Sequence, residues 1–206
     1  DAAGGANVTV PHKAAVAAEM DELSAVAREA DAVNTVVRER DRLIGHNTDV
    51  PATVEAIARL RPDGVRHALL LGAGGVSRAV QLALRQVGVD RVTVLRRSDG
   101  SMDGLADELA TADLVVNATP VGTGADETLV PTELLRPDLA VLDLVYRPSP
   151  TRLVREARAA GAPAEAGAAI LLGQAWRSLE LWLGQQAPVD AMRAALAAEL
   201  GGSSDV

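Results

Sequence analysis

Apolar residues follow two rhythms along this chain, and the switches between them mark the elements. Short runs of Leu, Val and Ala at 68–71, 91–95, 114–118 and 140–144 are bounded by polar or Gly-rich segments, as expected of strands buried on both faces. Between and after them the apolar spacing lengthens to that of helices, from Gly75 to about Val87, at 103–110, and again at 151–160, 170–183 and 189–200. This βαβ alternation predicts a parallel sheet covered by helices. Ahead of it the pattern predicts a helix at 14–28, short strands at 33–37 and 43–46, and a helix around Pro51. Arg61-Pro62-Asp63-Gly64 is the clear turn-rich boundary between the two parts. The expected organisation is a first α/β domain at 1–60, a second domain at 61–165, and helices at 166–206 that finish the chain, with a disordered tail from Gly201 to Val206.

The start of the second domain carries the first chemical signal. The run Ala68-Leu69-Leu70-Leu71 leads directly into Gly72-Ala73-Gly74-Gly75-Val76-Ser77 and then a helix. Strand, Gly-rich turn and helix in that order suit a dinucleotide's pyrophosphate, because glycine lets backbone N–H groups at a helix N-terminus approach it closely. The third glycine of the usual fingerprint is Ser77 here, and a plain tight turn is the other reading. The fold class expected is therefore α/β, a Rossmann-like parallel sheet beside a smaller α/β domain. The next strand ends in Arg96-Arg97-Ser98, where NAD-binding chains place an acidic residue. Two guanidinium groups there would accept the 2′-phosphate of NADP. Asp99 follows closely, and a solvated arginine pair at a strand end is the plainer alternative.

A second cluster lies near the N-terminus. Gly5 to Lys13 reads GANVTVPHK, a plausible strand that ends by aiming a lysine from a turn, and Asn47-Thr48-Asp49 follows the strand-like stretch ending at His46. If these ends meet in a cleft, Lys13 and Asp49 form an ammonium–carboxylate pair able to share a substrate hydroxyl, which is acid/base geometry. Taken singly, the lysine reads as a solvent-facing residue and the aspartate as a helix cap.

Composition narrows the field. Aromatic residues make up 1% of the chain and Phe is absent, so the core must be built from Ala, Val and Leu, and base-stacking nucleic-acid surfaces are disfavoured. A net charge of −8 disfavours polyanion binding over the whole surface while allowing a local arginine pocket. No apolar run is long enough for a membrane span. With no Cys and only three widely spaced His residues, no metal site is expected. The lack of cysteine fits a reducing compartment, so a cytoplasmic setting is expected.

The motifs occur in an order that resembles the shikimate dehydrogenase family over almost the whole chain. GANVTVPHK resembles its GxNVTxPxK segment, Ala32 to Thr35 its xxNT segment, Gly45 to Asp49 its GxNTD segment, and Gly72 to Ala79 its cofactor loop. Arg96-Arg97-Ser98 resembles its phosphate clamp; Asn117 to Pro120, Asp143 to Tyr146, Thr151 and Gln174 complete the order.

The resemblance implies NADPH-dependent reduction of 3-dehydroshikimate to shikimate, a small-molecule reaction on the route to aromatic amino acids through chorismate. It implies Lys13 and Asp49 as the catalytic pair, and Asn7, Thr9, Asn34, Tyr146 and Gln174 as substrate ligands, with Asn7 and Thr9 flanking Lys13 on its strand. Gly72, Ala73, Gly74, Gly75, Val76, Arg96, Arg97 and Ser98 would hold NADP, with Leu144 and Gly167 against the nicotinamide. The family's earlier strand–helix unit with a carboxylate-binding Ser-x-Ser pair has no counterpart here, so the chain is expected to be N-terminally incomplete. Oxidation of quinate/shikimate or a related polyol with NAD, and a non-catalytic NADP-binding remnant, are the alternatives. A homodimer is among the assemblies left open.

Overall fold

The computed structural model describes residues 4–202, so the end of the tail expected from Gly201 to Val206 lies outside the described residues. The N-terminal part is a four-stranded sheet. It contains β1 (Gly5–Asn7), β2 (Glu22–Leu23), β3 (Thr35–Glu39) and β4 (Arg42–His46) in the order β1-β3-β4-β2. The helices α1 (Lys13–Ala17) and α2 (Ala25–Ala30) pack beside it, and α3 (Asp49–Leu60) leads out of it.

Three expectations for this region are corrected. The single helix at 14–28 is two short helices separated by β2. Pairing decides this, because Glu22 and Leu23 run parallel to Ile44 and Gly45, Asp21 accepts the Leu43 N–H at 2.7 Å, and Ser24 caps a new helix through the Ala27 N–H. Lys13 does not end a strand: β1 stops at Asn7 and Lys13 is the first residue of α1, with Thr9 in the intervening loop. Asn7 and Thr9 therefore do not share a strand with the lysine. Pro51 lies in the first turn of α3, as expected of it, with the helix beginning at Asp49.

The second sheet is wholly parallel, in the order β6-β5-β7-β8-β9. Its strands are β5 (His67–Leu71), β6 (Arg91–Leu95), β7 (Leu114–Asn117), β8 (Ala140–Asp143) and β9 (Ala164–Ala166). The edge strand β9 is absent from the apolar pattern because Ala164-Glu165-Ala166 is short and carries a charge. Helices α4 (Gly75–Gln86), α5 (Leu105–Thr111) and α6 (Arg152–Ala159) cover the sheet, and α7 (Gly167–Leu183) and α8 (Val189–Glu199) close the chain.

The continuous apolar runs have a direct physical reading. Along β5, Ala68 and Leu70 enter one core while Leu69 and Leu71 enter the other; Leu114 and Val116 are likewise split from Val115, and Ala140 and Leu142 from Val141. Side chains alternate across a strand, so a sheet covered on both faces needs apolar residues at every position. The first sheet has a thinner core of Ala17, Ala27, Val33 and Val36. Helix α7 ties the two sheets together. Its first residue follows β9, while Ser178 and Trp182 bond to Thr35 and to the Val36 carbonyl of β3 at 2.7 and 2.9 Å.

Candidate active site

Helix α1 offers Lys13 and helix α3 offers Asp49, each from its first position. Lys13 Nζ donates to Asp49 Oδ2 at 2.7 Å, and their side chains are 14% and 13% exposed. The pair is shielded enough to matter electrostatically and open enough to meet a ligand. Asp49 is not a cap: Thr48 occupies the N-cap position, and Asn47 Oδ1 accepts the Asp49 and Val50 N–H groups at 3.1 and 3.2 Å. That arrangement leaves the Asp49 carboxylate for the lysine. The other end of the pair is set by backbone, since the Val33 N–H donates to the Lys13 carbonyl at 2.8 Å.

Beneath the pair lies a cluster of hydroxyl and amide groups. Asn34, 1% exposed, accepts the Thr48 N–H at 2.8 Å and donates Nδ2 to Thr48 Oγ1 at 2.9 Å. Thr35 Oγ1 and Ser178 Oγ stand 2.7 Å apart, and Asn7 Nδ2 donates to Ser178 Oγ at 3.2 Å and to the Asn34 carbonyl at 3.1 Å. Buried polar groups are costly unless satisfied, so this network holds β1, β3, α3 and α7 in one arrangement. Ser178 continues the Ile170, Gln174, Ser178 stripe along one face of α7, a stripe visible as i, i+4 spacing.

The pair opens on a cavity of about 340 Å³. Asn7, Thr9, Lys13, Asn34, Asp49, Tyr146 and Gln174, the seven expected catalytic and substrate-binding residues, all line it. So do Val76, Leu144 and Gly167 from the expected cofactor set. Tyr146 is 45% exposed at its mouth, and Gln174 turns its Nε2 back to the Leu171 carbonyl at 3.0 Å. Thr53 and Ile170 also line the cavity, and neither is among the expected ligands. Thr53 follows Asp49 by one helical turn and donates to its carbonyl at 2.8 Å, a spacing that could have flagged it.

A neighbouring cavity of about 210 Å³ shares Val10 and Lys13 with the first and is lined by Ala73, Gly74 and Gly75. Arg78, one turn into α4, reaches across it to Asp31 of the αL cap of α2 at 2.8 Å, joining the two parts of the chain. Sequence alone does not show that partner. Gly72 adopts φ +102°, and a Cβ there would stand 2.9 Å from Thr119 Cγ2 and 3.0 Å from the Ala118 carbonyl. Side chains added at Gly74 and Gly75 would instead point into open space, which leaves the N-terminus of the 12-residue α4 accessible to a phosphate. These residues fit a dinucleotide.

Arg96, Arg97 and Ser98 line neither cavity, yet topology sets them at the loop's flank. Leu71 pairs with Leu95, and the Gly72 N–H donates to the Leu95 carbonyl at 2.8 Å, so the exposed arginines begin one residue beyond the loop's own hydrogen bond. Asp99 is turned into its own bend: hydrogen bonding with Ser101 holds its carboxyl below the ordinary value, with the Arg96 charge adding to the effect. Gly167 shows why a small residue starts α7, since a Cβ there would collide with the Leu144 carbonyl.

Comparison with known proteins shows the family. Residues 1–36 match the family described as shikimate dehydrogenase substrate binding domain, and residues 167–197 match shikimate 5′-dehydrogenase C-terminal domain. The chain is 43% identical over 217 residues to a shikimate dehydrogenase (NADP(+)) of Halorubrum lacusprofundi, covering 95% of this chain and 79% of that one. A shikimate 5-dehydrogenase of Thermus thermophilus, solved with NADP(H) and shikimate, is 38% identical and superposes with a TM-score of 0.82 over 95% of this chain and 78% of that one. A quinate dehydrogenase of Corynebacterium glutamicum, solved with NAD, is 32% identical with a TM-score of 0.85 over 95% of this chain and 78% of that one.

Proposed function

The chain belongs to the shikimate dehydrogenase family, and from that membership we propose how its cleft carries out NADPH-dependent reduction of 3-dehydroshikimate to shikimate. The reaction is an oxidoreductase step on the route to the aromatic amino acids. The observation that carries the assignment of roles is the Lys13–Asp49 contact of 2.7 Å on the wall of a cavity reached by both sheets.

NADPH, when bound, supplies the hydride. Its arrival at a ketone carbon places negative charge on the ketone oxygen, and the Lys13 ammonium stabilises that charge and delivers the proton. Asp49 keeps the ammonium pointed at the cavity and accepts from a neighbouring substrate hydroxyl. Asn7, Thr9, Asn34, Tyr146 and Gln174 orient the ring from the surrounding walls. The backbone of Gly72, Ala73, Gly74, Gly75 and Val76 would receive the pyrophosphate, Arg96, Arg97 and Ser98 the 2′-phosphate, and Leu144 and Gly167 the nicotinamide. The arginine pair and the inward turn of Asp99 favour NADP over NAD.

In this reading residues 1–60 form the substrate domain, 61–165 the nucleotide domain, and 166–206 the return to the substrate domain. Ser178 and Trp182 contacts to β3 support that division. No helix of the described residues is long and apolar enough to cross a membrane. We also propose a cytoplasmic setting, which suits a cysteine-free chain, and a homodimer; light scattering tests the latter. The test of function is turnover. Shikimate with NADP should be oxidised at least about ten-fold more efficiently than quinate with NAD, a difference of about 1.4 kcal/mol in barrier. Preference for quinate and NAD would refute the assignment.

A further inference from the structure

The last residues of the five parallel strands lie in one register row, Leu95, Leu71, Asn117, Asp143 and Ala166 across β6-β5-β7-β8-β9. One residue further along the chain from each come Arg96, Gly72, Ala118, Leu144 and Gly167, and all but Ala118 belong to the proposed cofactor site. Open parallel sheets take their ligands beyond the carboxyl ends of the strands. The row is therefore the floor of the site, and only Asn117 and Asp143 in it are polar.

Asp143 is buried and lines neither the catalytic cavity nor its neighbour. Its Oδ1 accepts from Asn117 Nδ2 at 2.8 Å and from the Val145 N–H at 3.1 Å, and its Oδ2 accepts from the Thr151 hydroxyl at 2.6 Å. Thr151 is buried too, and its Oγ1 accepts the Val154 N–H as the cap of α6. Packing alone does not ask for this chemistry, since apolar groups of similar volume in place of buried ionic ones are often neutral or stabilising. What the carboxyl adds is a fixed relation between separate stretches of backbone.

Those stretches are the ones that form the site. The bond to Val145 sets the backbone between Leu144 and Tyr146, both of which line the catalytic cavity, and the Val145 carbonyl accepts the Gly167 N–H at 3.2 Å. On the other side, Asn117 Oδ1 accepts the Thr119 hydroxyl and N–H at 2.7 and 3.1 Å, and Thr119 Cγ2 is the atom that a Cβ on Gly72 would meet at 2.9 Å. We propose that Asp143 is a positioning residue for the reaction, acting through the Val145 N–H and the Thr151 hydroxyl to hold Leu144 against the nicotinamide and Tyr146 at the substrate. What these two residues touch rests on the catalytic reading above; the geometry of the clasp does not. A displacement of about 1 Å at a reacting centre can cost about 10²-fold in rate, so a loosened 144–146 segment has a measurable effect.

Asp143→Ala and Thr151→Val test this together. The first removes the acceptor of three donors and leaves the α6 cap; the second removes one donor and the cap but keeps the bonds of Oδ1, so an effect common to both belongs to the Asp143–Thr151 bond. Tyr146 is the only tyrosine of the chain, so 3-fluorotyrosine labelling gives one 19F resonance that reports the segment directly. In ligand-free protein both variants should move or split that resonance, and Thr151→Ser, which restores the hydroxyl, should return it. With shikimate and NADP both should lose kcat at least about ten-fold, Thr151→Ser should recover it to within about three-fold, and adenosine 2′,5′-bisphosphate should bind all of them within about two-fold of wild type, because Arg96 and Arg97 stand outside the clasp. An unmoved resonance in the Thr151→Val protein would overturn the proposal, as would kcat and bisphosphate binding falling together in step with the unfolded fraction. If wild type does not oxidise shikimate, the catalytic reading fails, and the 19F comparison decides the clasp by itself.

Discussion

Replacing Lys13 by Met should lower turnover by about 10²–10⁴-fold while leaving the KM for the shikimate-type substrate little changed, the pattern of a group that acts in the transition state. The loss corresponds to about 3–5 kcal/mol of barrier. Stability loss cannot imitate it. The Lys13–Asp49 pair spans 2.7 Å with about one-seventh of each side chain exposed, 14% and 13%, so it falls between a surface bridge and a fully buried one. Removing the lysine and leaving the carboxylate should cost about 2 kcal/mol, short of the 3–5 of a buried pair and above the 0–1 of an exposed one. A domain with the usual ~5–15 kcal/mol remains almost wholly folded after that loss. The double variant Lys13→Met/Asp49→Asn separates the two effects, because it removes the orphaned charge. Its melting temperature should recover toward wild type while its turnover stays low. The assay is initial-rate absorbance at 340 nm in parallel with a thermal melt, and turnover within about ten-fold of wild type for Lys13→Met would refute the assignment of the proton to this residue.

Changing both Arg96 and Arg97 to Gln should cut kcat/KM for NADPH at least about ten-fold more than for NADH, since charge-assisted bonds to a phosphate are worth about 1.5–3 kcal/mol each; equal losses would show that the pair supports folding instead. Gly167→Ala should destabilise by about 1–3 kcal/mol, because its Cβ would meet the Leu144 carbonyl, and an unchanged melting temperature would show that α7 can shift aside. Asp143, 1% exposed, has its carboxyl raised by burial against the opposing bonds from Thr151, the Val145 N–H and Asn117. A raised native value means that the folded state holds the proton more tightly, so this group's stabilising term is full below the unfolded value of 3.8 and is lost as pH climbs through the native value. Asp143→Asn should therefore flatten the fall in melting temperature above pH 3.8, and an identical pH profile for variant and wild type would contradict that sign.

Much of this protein is legible as sequence because its signals are local. The strand at 91–95 and the helices near 152–159 and 189–199 follow from apolar spacing alone, and the Gly72 to Ser77 loop from its place between a strand and a helix. The cysteine-free, Phe-free composition likewise points to a core of Leu, Val and Ala, and apart from Ile57 the buried residues of both cores beside the parallel sheet are of those three types. Where local preference misleads, a distant partner outweighs it. Residues 14–28 have helical spacing throughout, yet Glu22 and Leu23 leave the helix because β4 offers unpaired backbone groups and Asp21 a carboxylate for Leu43. Ala164 to Ala166 carries too little apolar signal to read as a strand and becomes one because the edge of β8 is open. The site itself is nominated by residue type and order, but only tertiary structure brings it together. Lys13 meets Asp49 across 36 positions and Asn7 meets Ser178 across 171, separations over which no periodicity acts; what closes them is the burial of α7 against the first sheet and the need of each buried hydroxyl and amide for a partner.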